Sequence, residues 1–159
     1  MAIDTGIGIS LTQVTTTKQA PLGQTVLQPA GSDNTGEKVW LYVWNNSGSP
    51  IAPNMLVARD TGSTNAQIRL CPAGASPARV MGVTGASAIP DGSYGWILRK
   101  GIHTVTADAT VAASVGAFPD TSTAGNVMGA AADTDQVVGA TIAGRTGAGT
   151  FSAYINCIG

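Results

Sequence analysis

Short runs rich in Val, Ile, Thr and aromatic residues recur along this chain at roughly ten-residue spacing, and Gly, Pro, Asn or Asp closes most of them. That punctuation leaves little room for helices. No stretch keeps apolar positions at helical spacing over three turns, and the Ala-rich segment Thr106 to Ala113 is broken by Thr, Val and Asp, so at most one short helix fits there. The runs predict strands at Gly8–Thr16, Lys38–Asn45, Met55–Arg59, Gln67–Cys71, Arg79–Thr84, Tyr94–Lys100, Ile102–Thr106, Val115–Phe118, Gly125–Met128, Gln136–Ala143 and Thr150–Cys157. Between them, Asn45 to Pro50, Pro90 to Ser93 and Arg145 to Gly149 supply the residues that turns require. The fold class is therefore all-β, a small β-barrel or β-sandwich, with Leu41, Val43, Leu56, Val80, Val83, Ile97, Val138 and Ile155 as its expected core.

The first 36 residues differ from the rest. Ile3, Thr5, Ile7, Ile9 and Leu11 alternate, and a polar stretch with Pro21, Pro29 and Gly31 follows. This is the pattern of an extended N-terminal arm over residues 1–36 ahead of a body over 37–159. An extended segment cannot pair its own backbone, so it adds to a sheet of its own chain or of a neighbour. In the second case Ile3, Ile7, Ile9 and Leu11 would fill shallow apolar pockets on the partner.

The body repeats itself. A shift of 57 positions (137 − 80) lays Val80-Met81-Gly82-Val83-Thr84 over Val137-Val138-Gly139-Ala140-Thr141, and Gly92, Ser93 and Tyr94 over Gly149, Thr150 and Phe151. Upstream, a shift of 62 lays Ile51 to Val57 over Ala113 to Pro119, with Leu56 on Phe118. Two similar β-units, each too small for a core of its own, are expected to bury their aliphatic faces together. Gly82 and Gly139 mark bulges or close backbone approach.

Val39-Trp40-Leu41-Tyr42-Val43-Trp44 is the most informative local stretch. Period-2 geometry puts Val39, Leu41 and Val43 on one face and Trp40, Tyr42 and Trp44 on the other, so both faces call for burial. The three aromatics cover roughly 450–750 Å², more than a monomer usually exposes. Their cover is the arm, the second unit, a neighbouring subunit, or a stacked sugar; the subunit interface is the working expectation.

Catalytic chemistry finds few residues to work with. His103 is the single histidine and sits in an alternating strand, and there is no nucleophile elbow, phosphate-cradling loop or paired-His motif. Cys71 and Cys157 are too few for structural zinc and read as buried thiols. Asp133 and Asp135, with Asp60 and Asp120, lack the ligand alternation of a calcium loop and read as solvated acids. The chain is expected to be no enzyme, with no cofactor, no metal and no small-molecule substrate. A net charge of −1 gives no basic footprint for direct nucleic-acid binding. No apolar run reaches the length of a membrane span, and the start lacks a signal-peptide plan, so the chain is expected to be made and kept in a cytoplasm. With charged residues at only 11%, against about 25% in an average domain, repulsion between copies is weak, which suits a surface covered by neighbours.

The ordered phrases IAPNMLVARD, RVMGVTGAS, DGSYGWILRKG, VGAFPDTSTAG, QVVGATIAG and GTFSAYI, from Val39 to Ile158 overall, resemble phage head-decoration (cement) proteins, and more distantly the plan of the phage lambda head-decoration protein. The resemblance implies a virion protein on the outer capsid surface. It would bind the major capsid protein through its arm, associate as a homotrimer and stabilise the shell. Another tail or virion structural role, and a carbohydrate-binding β-sandwich module, are the competing readings. The longer N-terminal segment and the second unit depart from the lambda-like plan.

Overall fold

A computed structural model describes residues 8–31, 36–60, 66–75, 79–107, 116–119, 123–129, 139–141 and 147–157, with side chains described except at 116–118, 128–129 and 139–141. Among the described residues there is no α-helix, and the strands are β1 (Thr25–Gln28), β2 (Lys38–Asn45), β3 (Leu56–Arg59), β4 (Gln67–Leu70), β5 (Val80–Thr84), β6 (Tyr94–Ala107), β7 (Gly116–Pro119), β8 (Val127–Gly129), β9 (Gly139–Thr141) and β10 (Gly149–Asn156).

The pairings run in circuits. β2 pairs β4 in parallel, β4 pairs β3, β3 pairs β5, β5 pairs β6, and β6 returns to β2, so hydrogen bonds pass around a ring of five strands. From β6 a second series runs through β10, β9, β7 and β8, and comes back to β6 by one parallel pair, Ala107↔Val127. Each pairing of the first series has its counterpart in the second. β6 belongs to both, closing one with its first half and opening the other with its second.

The repeat read from sequence is thus present, with its spacing corrected by the ladder. With Gly82 laid on Gly139, the shift of 57 for β5 and β9 (139 − 82), Val57↔Gly82 and Ala117↔Gly139 take the same place and make the shift 60 for β3 and β7 (117 − 57). Val83↔Leu98 and Ala140↔Tyr154 set it at 56 for β6 and β10 (154 − 98). Leu56 therefore matches Gly116 rather than Phe118, and Tyr94 matches Thr150 rather than Phe151. A one-residue slip turns side chains to the opposite face, so only the ladder fixes such equivalences.

Two glycines explain two features of the path. Gly101 has φ +119, and a Cβ there would lie 2.8 Å from the Glu37 carbonyl. A backbone conformation closed to other residues lets the strand continue where two separate strands, Tyr94–Lys100 and Ile102–Thr106, were expected. At Gly82 a Cβ would lie 2.4 Å from the Leu98 carbonyl, and the β3–β5 register shifts beside it. Close backbone approach and a bulge coincide there, as its sequence context predicts.

The core has two parts. Every strand of the first ring sends side chains to a cluster containing Leu41, Val43, Val57, Ile68, Met81 and Ile97. The opposite faces supply Trp40, Tyr42, Leu56, Val80, Val83 and Leu98 to a larger cluster that also takes Val105, Val127, Phe151 and Ile155 from the second series. Of the expected core, Leu41, Val43, Leu56, Val80, Val83, Ile97 and Ile155 are buried, and Val138 lies outside the described residues.

The expected strand Gly8–Thr16 does not form. Gly8 takes φ +72, the Gln13 N–H closes a turn onto the Ser10 carbonyl, and the Ser10 hydroxyl bonds to that of Thr12. Local side-chain bonding of this kind competes with extension. Thr15 exchanges a pair of backbone bonds with Tyr94 of the body, as an isolated bridge rather than a strand. The short Helix-permitting segment around Thr106 to Ala113 lies largely outside the described residues.

Candidate functional site

The aromatic strip on β2 is covered from within the chain. Trp40 and Tyr42 are 7% and 1% exposed. The Tyr42 hydroxyl accepts the Gln19 N–H at 3.0 Å, and the Trp40 indole N–H donates to Gln28 Oε1 at 2.7 Å. Tyr42 packs against Trp96 with centroids 5.0 Å apart, and Tyr94 is stacked between Tyr42 at 6.1 Å and Trp44 at 6.0 Å. The expectation of a subunit interface at Trp40 and Tyr42 gives way, because the polar tract before β2 folds back and seals them. Trp44 is half-buried, and its indole N–H has no partner among the described residues, nor does that of Trp96.

The arm residues divide. Ile3 and Ile7 lie outside the described residues. Ile9 and Leu11 are buried in the cluster that holds Trp40 and Tyr42, so these two are committed to the chain's own core and cannot also fill pockets on a partner.

His103, Cys71 and Cys157 are packed into the fold. His103 stands with Nε2 3.2 Å from the Thr84 carbonyl and its ring edge-on to Trp40 at 5.9 Å. Burial lowers its pKa; the Thr84 hydrogen bond opposes that and nearby Lys38 adds to it. Burial pushes the Cys71 thiol up to about 11, against the pull of Arg69. Burial pushes Cys157 up to about 12, with Arg99 pulling down and Cys71 adding to the rise. Such thiols are poor nucleophiles. Among the described residues no three His, Cys, Asp or Glu side chains gather as metal ligands. Of the acids considered for calcium, Asp60 is described, while Asp120, Asp133 and Asp135 are not.

Asn45, fully buried, donates to the carbonyls of Ser49 and Ile89, both at 2.8 Å, and accepts from the Ser47 N–H and hydroxyl. This satisfied hub ties the two loops at the end of β2 and β6, and explains why a turn rich in Asn and Ser stands there. Sequence reasoning assigned those residues only a turn role.

What the surface offers lies elsewhere. Among the described residues β2 through β10 are each hydrogen-bonded to two or more strands, whereas β1 pairs only β2. The exposed large hydrophobic side chains among the described residues are Leu27, 57% exposed on β1, and Tyr154, 39% exposed on β10. The open sheet edge and the most exposed large apolar side chain thus coincide on a four-residue strand that the periodicity assigned to the arm.

No protein-family model matches the chain. No curated protein matches it either. Among solved structures, the N-terminal base of the head fibre protein gp8.5 of bacteriophage phi29 is similar, with a TM-score of 0.54 at 11% identity, over 75% of this chain and 94% of that one. At that identity the likeness shows a shared fold.

Proposed function

We propose that the chain is a structural protein of a phage virion, bound to the outside of the capsid. The observation that carries this reading is the fold shared with the head-fibre base over nearly the whole of that protein. The resemblance of its ordered phrases to head-decoration proteins points the same way from an independent side. Within that role, the finer proposal is decoration. Copies associate with one another and with the major capsid protein, and hold the shell against rupture without catalysing a reaction.

Two physical features support the proposal. The low charge content gives little repulsion between densely arrayed copies. The mutually paired strands leave few exposed backbone groups, which suits a body that must stay intact outside the cell. Since Ile9 and Leu11 belong to the core, attachment through the N-terminal segment falls to Ile3 and Ile7.

Co-sedimentation with expanded heads tests the reading. The purified chain should pellet with heads that lack it and raise the temperature at which they release DNA. Failure to pellet with such heads over a wide concentration range would remove the capsid role.

A further inference from the structure

We propose that β1 is a self-association edge, and that two copies of the chain join by pairing β1 with β1 antiparallel across a twofold axis at Val26. This contact is independent of the virion reading.

Backbone direction is the first support. The Tyr42 N–H donates to the Gln24 carbonyl at 2.9 Å, and the Trp44 N–H points to the same side of β2, toward Ala66. Bonds in an antiparallel ladder alternate, so Val26 and Gln28 face β2 through their partners Trp40 and Lys38. The N–H and C=O groups of Thr25 and Leu27 are thereby turned outward. Both side chains are exposed as well. No described backbone group bonds to β1 from that side.

The edge also lacks the usual safeguards. Natural sheets guard open edges with charge, above all Lys, but no charged residue occurs from Gln19 to Ser32. Charge matters doubly in self-pairing, because a strand set against its own copy places like beside like. This tract has none to repel. Its remaining safeguard is length: Pro29 follows β1 directly, so an added strand can pair along four residues but cannot extend.

The register follows from these groups. A twofold axis normal to the sheet must keep the core-facing side chains of both copies on one face, so it passes through a residue rather than between two. Centred on Val26, it sets Thr25 of each copy opposite Leu27 of the other, and every outward N–H meets an outward carbonyl. Centred on Leu27, it would set Thr25 opposite Pro29, which has no N–H to give. The Val26 register satisfies all the free groups, and lays each exposed Leu27 beside a Thr25 on the outer face.

The experiment is sedimentation velocity over a concentration series with the wild-type chain, Leu27→Pro and Leu27→Lys. Leu27→Pro removes an outward N–H that the fold does not use, so far-UV circular dichroism and Trp emission should stay at wild-type values. Wild type should move from 15.9 kDa to twice that mass as concentration rises. Leu27→Pro should stay at 15.9 kDa throughout. Leu27→Lys, which brings two ammonium groups near the axis, should associate at least tenfold more weakly, with part of the loss recovered at high salt. The proposal is overturned by a wild-type monomer at all concentrations, by a trimer, or by association that neither substitution weakens. A monomer whose capsid binding is lost on Leu27→Pro would overturn it too, in favour of a capsid segment as the strand that docks there.

Discussion

Replacing Gly82 by Ala tests the ring directly. The added methyl would sit 2.4 Å from the Leu98 carbonyl oxygen and 3.1 Å from both the Leu98 carbonyl carbon and Ile97 Cδ1. The first two atoms are backbone, so no rotamer change relieves them; β5 and β6 must move apart by about 1 Å to restore ordinary contact. The β5–β6 ladder consists of Val83↔Leu98 and Thr84↔Ile97, and lies inside a closed circuit, where separating one pair strains the next. Overpacking costs roughly 1–3 kcal/mol. Loosening one or two ladder bonds adds about 0.5–1.5 kcal/mol each, for about 1.5–6 kcal/mol in all. Against a typical stability of about 5–15 kcal/mol that is a large loss. Gly95→Ala is the matched control, since its Cβ would meet only the Ile89 and Val14 side chains, at 3.1–3.5 Å, and these can give. It should cost about 1 kcal/mol. Urea unfolding followed by Trp fluorescence reads both, with unchanged slopes showing that only stability has moved. A Gly82→Ala protein no less stable than Gly95→Ala would refute the close approach and the ring that depends on it.

Deleting residues 1–7 should leave a folded body that no longer pellets with capsids, whereas deleting 1–18 also removes Ile9 and Leu11 from the core and should cost about 4 kcal/mol or more; equal stability of the two truncations would contradict their burial. With a net charge of −1, wild-type binding to heads should change little between low and molar salt, and release by salt would point to an ionic contact instead. Because burial holds the His103 pKa below its usual value, the unfolded chain takes up a proton that the folded one resists. Stability should therefore be full above pH ~6.5 and fall as pH drops toward the folded pKa, by at most about 1.4 kcal/mol per pH unit, a slope that His103→Gln should flatten. Cys71 and Cys157, with thiols pushed up to about 11 and about 12, should resist a disulfide thiol reagent at pH 8 until denaturant is added; rapid labelling of the native chain would contradict their burial.

The strands β2 to β10 and most of the core were legible in the sequence because alternation is local. Val39 to Trp44 announces two buried faces whatever lies beside them, and Leu56, Val80, Val83, Ile97 and Ile155 carry the same local signal. The repeat was legible at Gly82 and Gly139, which hold matching places in the β3–β5 and β7–β9 ladders; at Gly82 a close approach to the Leu98 carbonyl tolerates little else.

Pairing was not legible, because it is set by partners far along the chain. The sequence could say that Trp40 and Tyr42 need cover, but only the tertiary structure decided that Gln19 to Gln28 supplies it, with Tyr42 and Trp40 bonded to Gln19 and Gln28. Alternation at Ile9 and Leu11 read equally well as an arm reaching outward; their place in the core depends on a turn at Ser10 to Gln13 and on the space beside Trp40. β1 went unseen because four residues between Gly23 and Pro29 carry too short a period to distinguish strand from loop. Whether an edge is open depends on which strands find partners: among the described residues β2 to β10 each pair two or more strands and β1 pairs only β2, while the alternation of the β1–β2 ladder turns Thr25 and Leu27 outward.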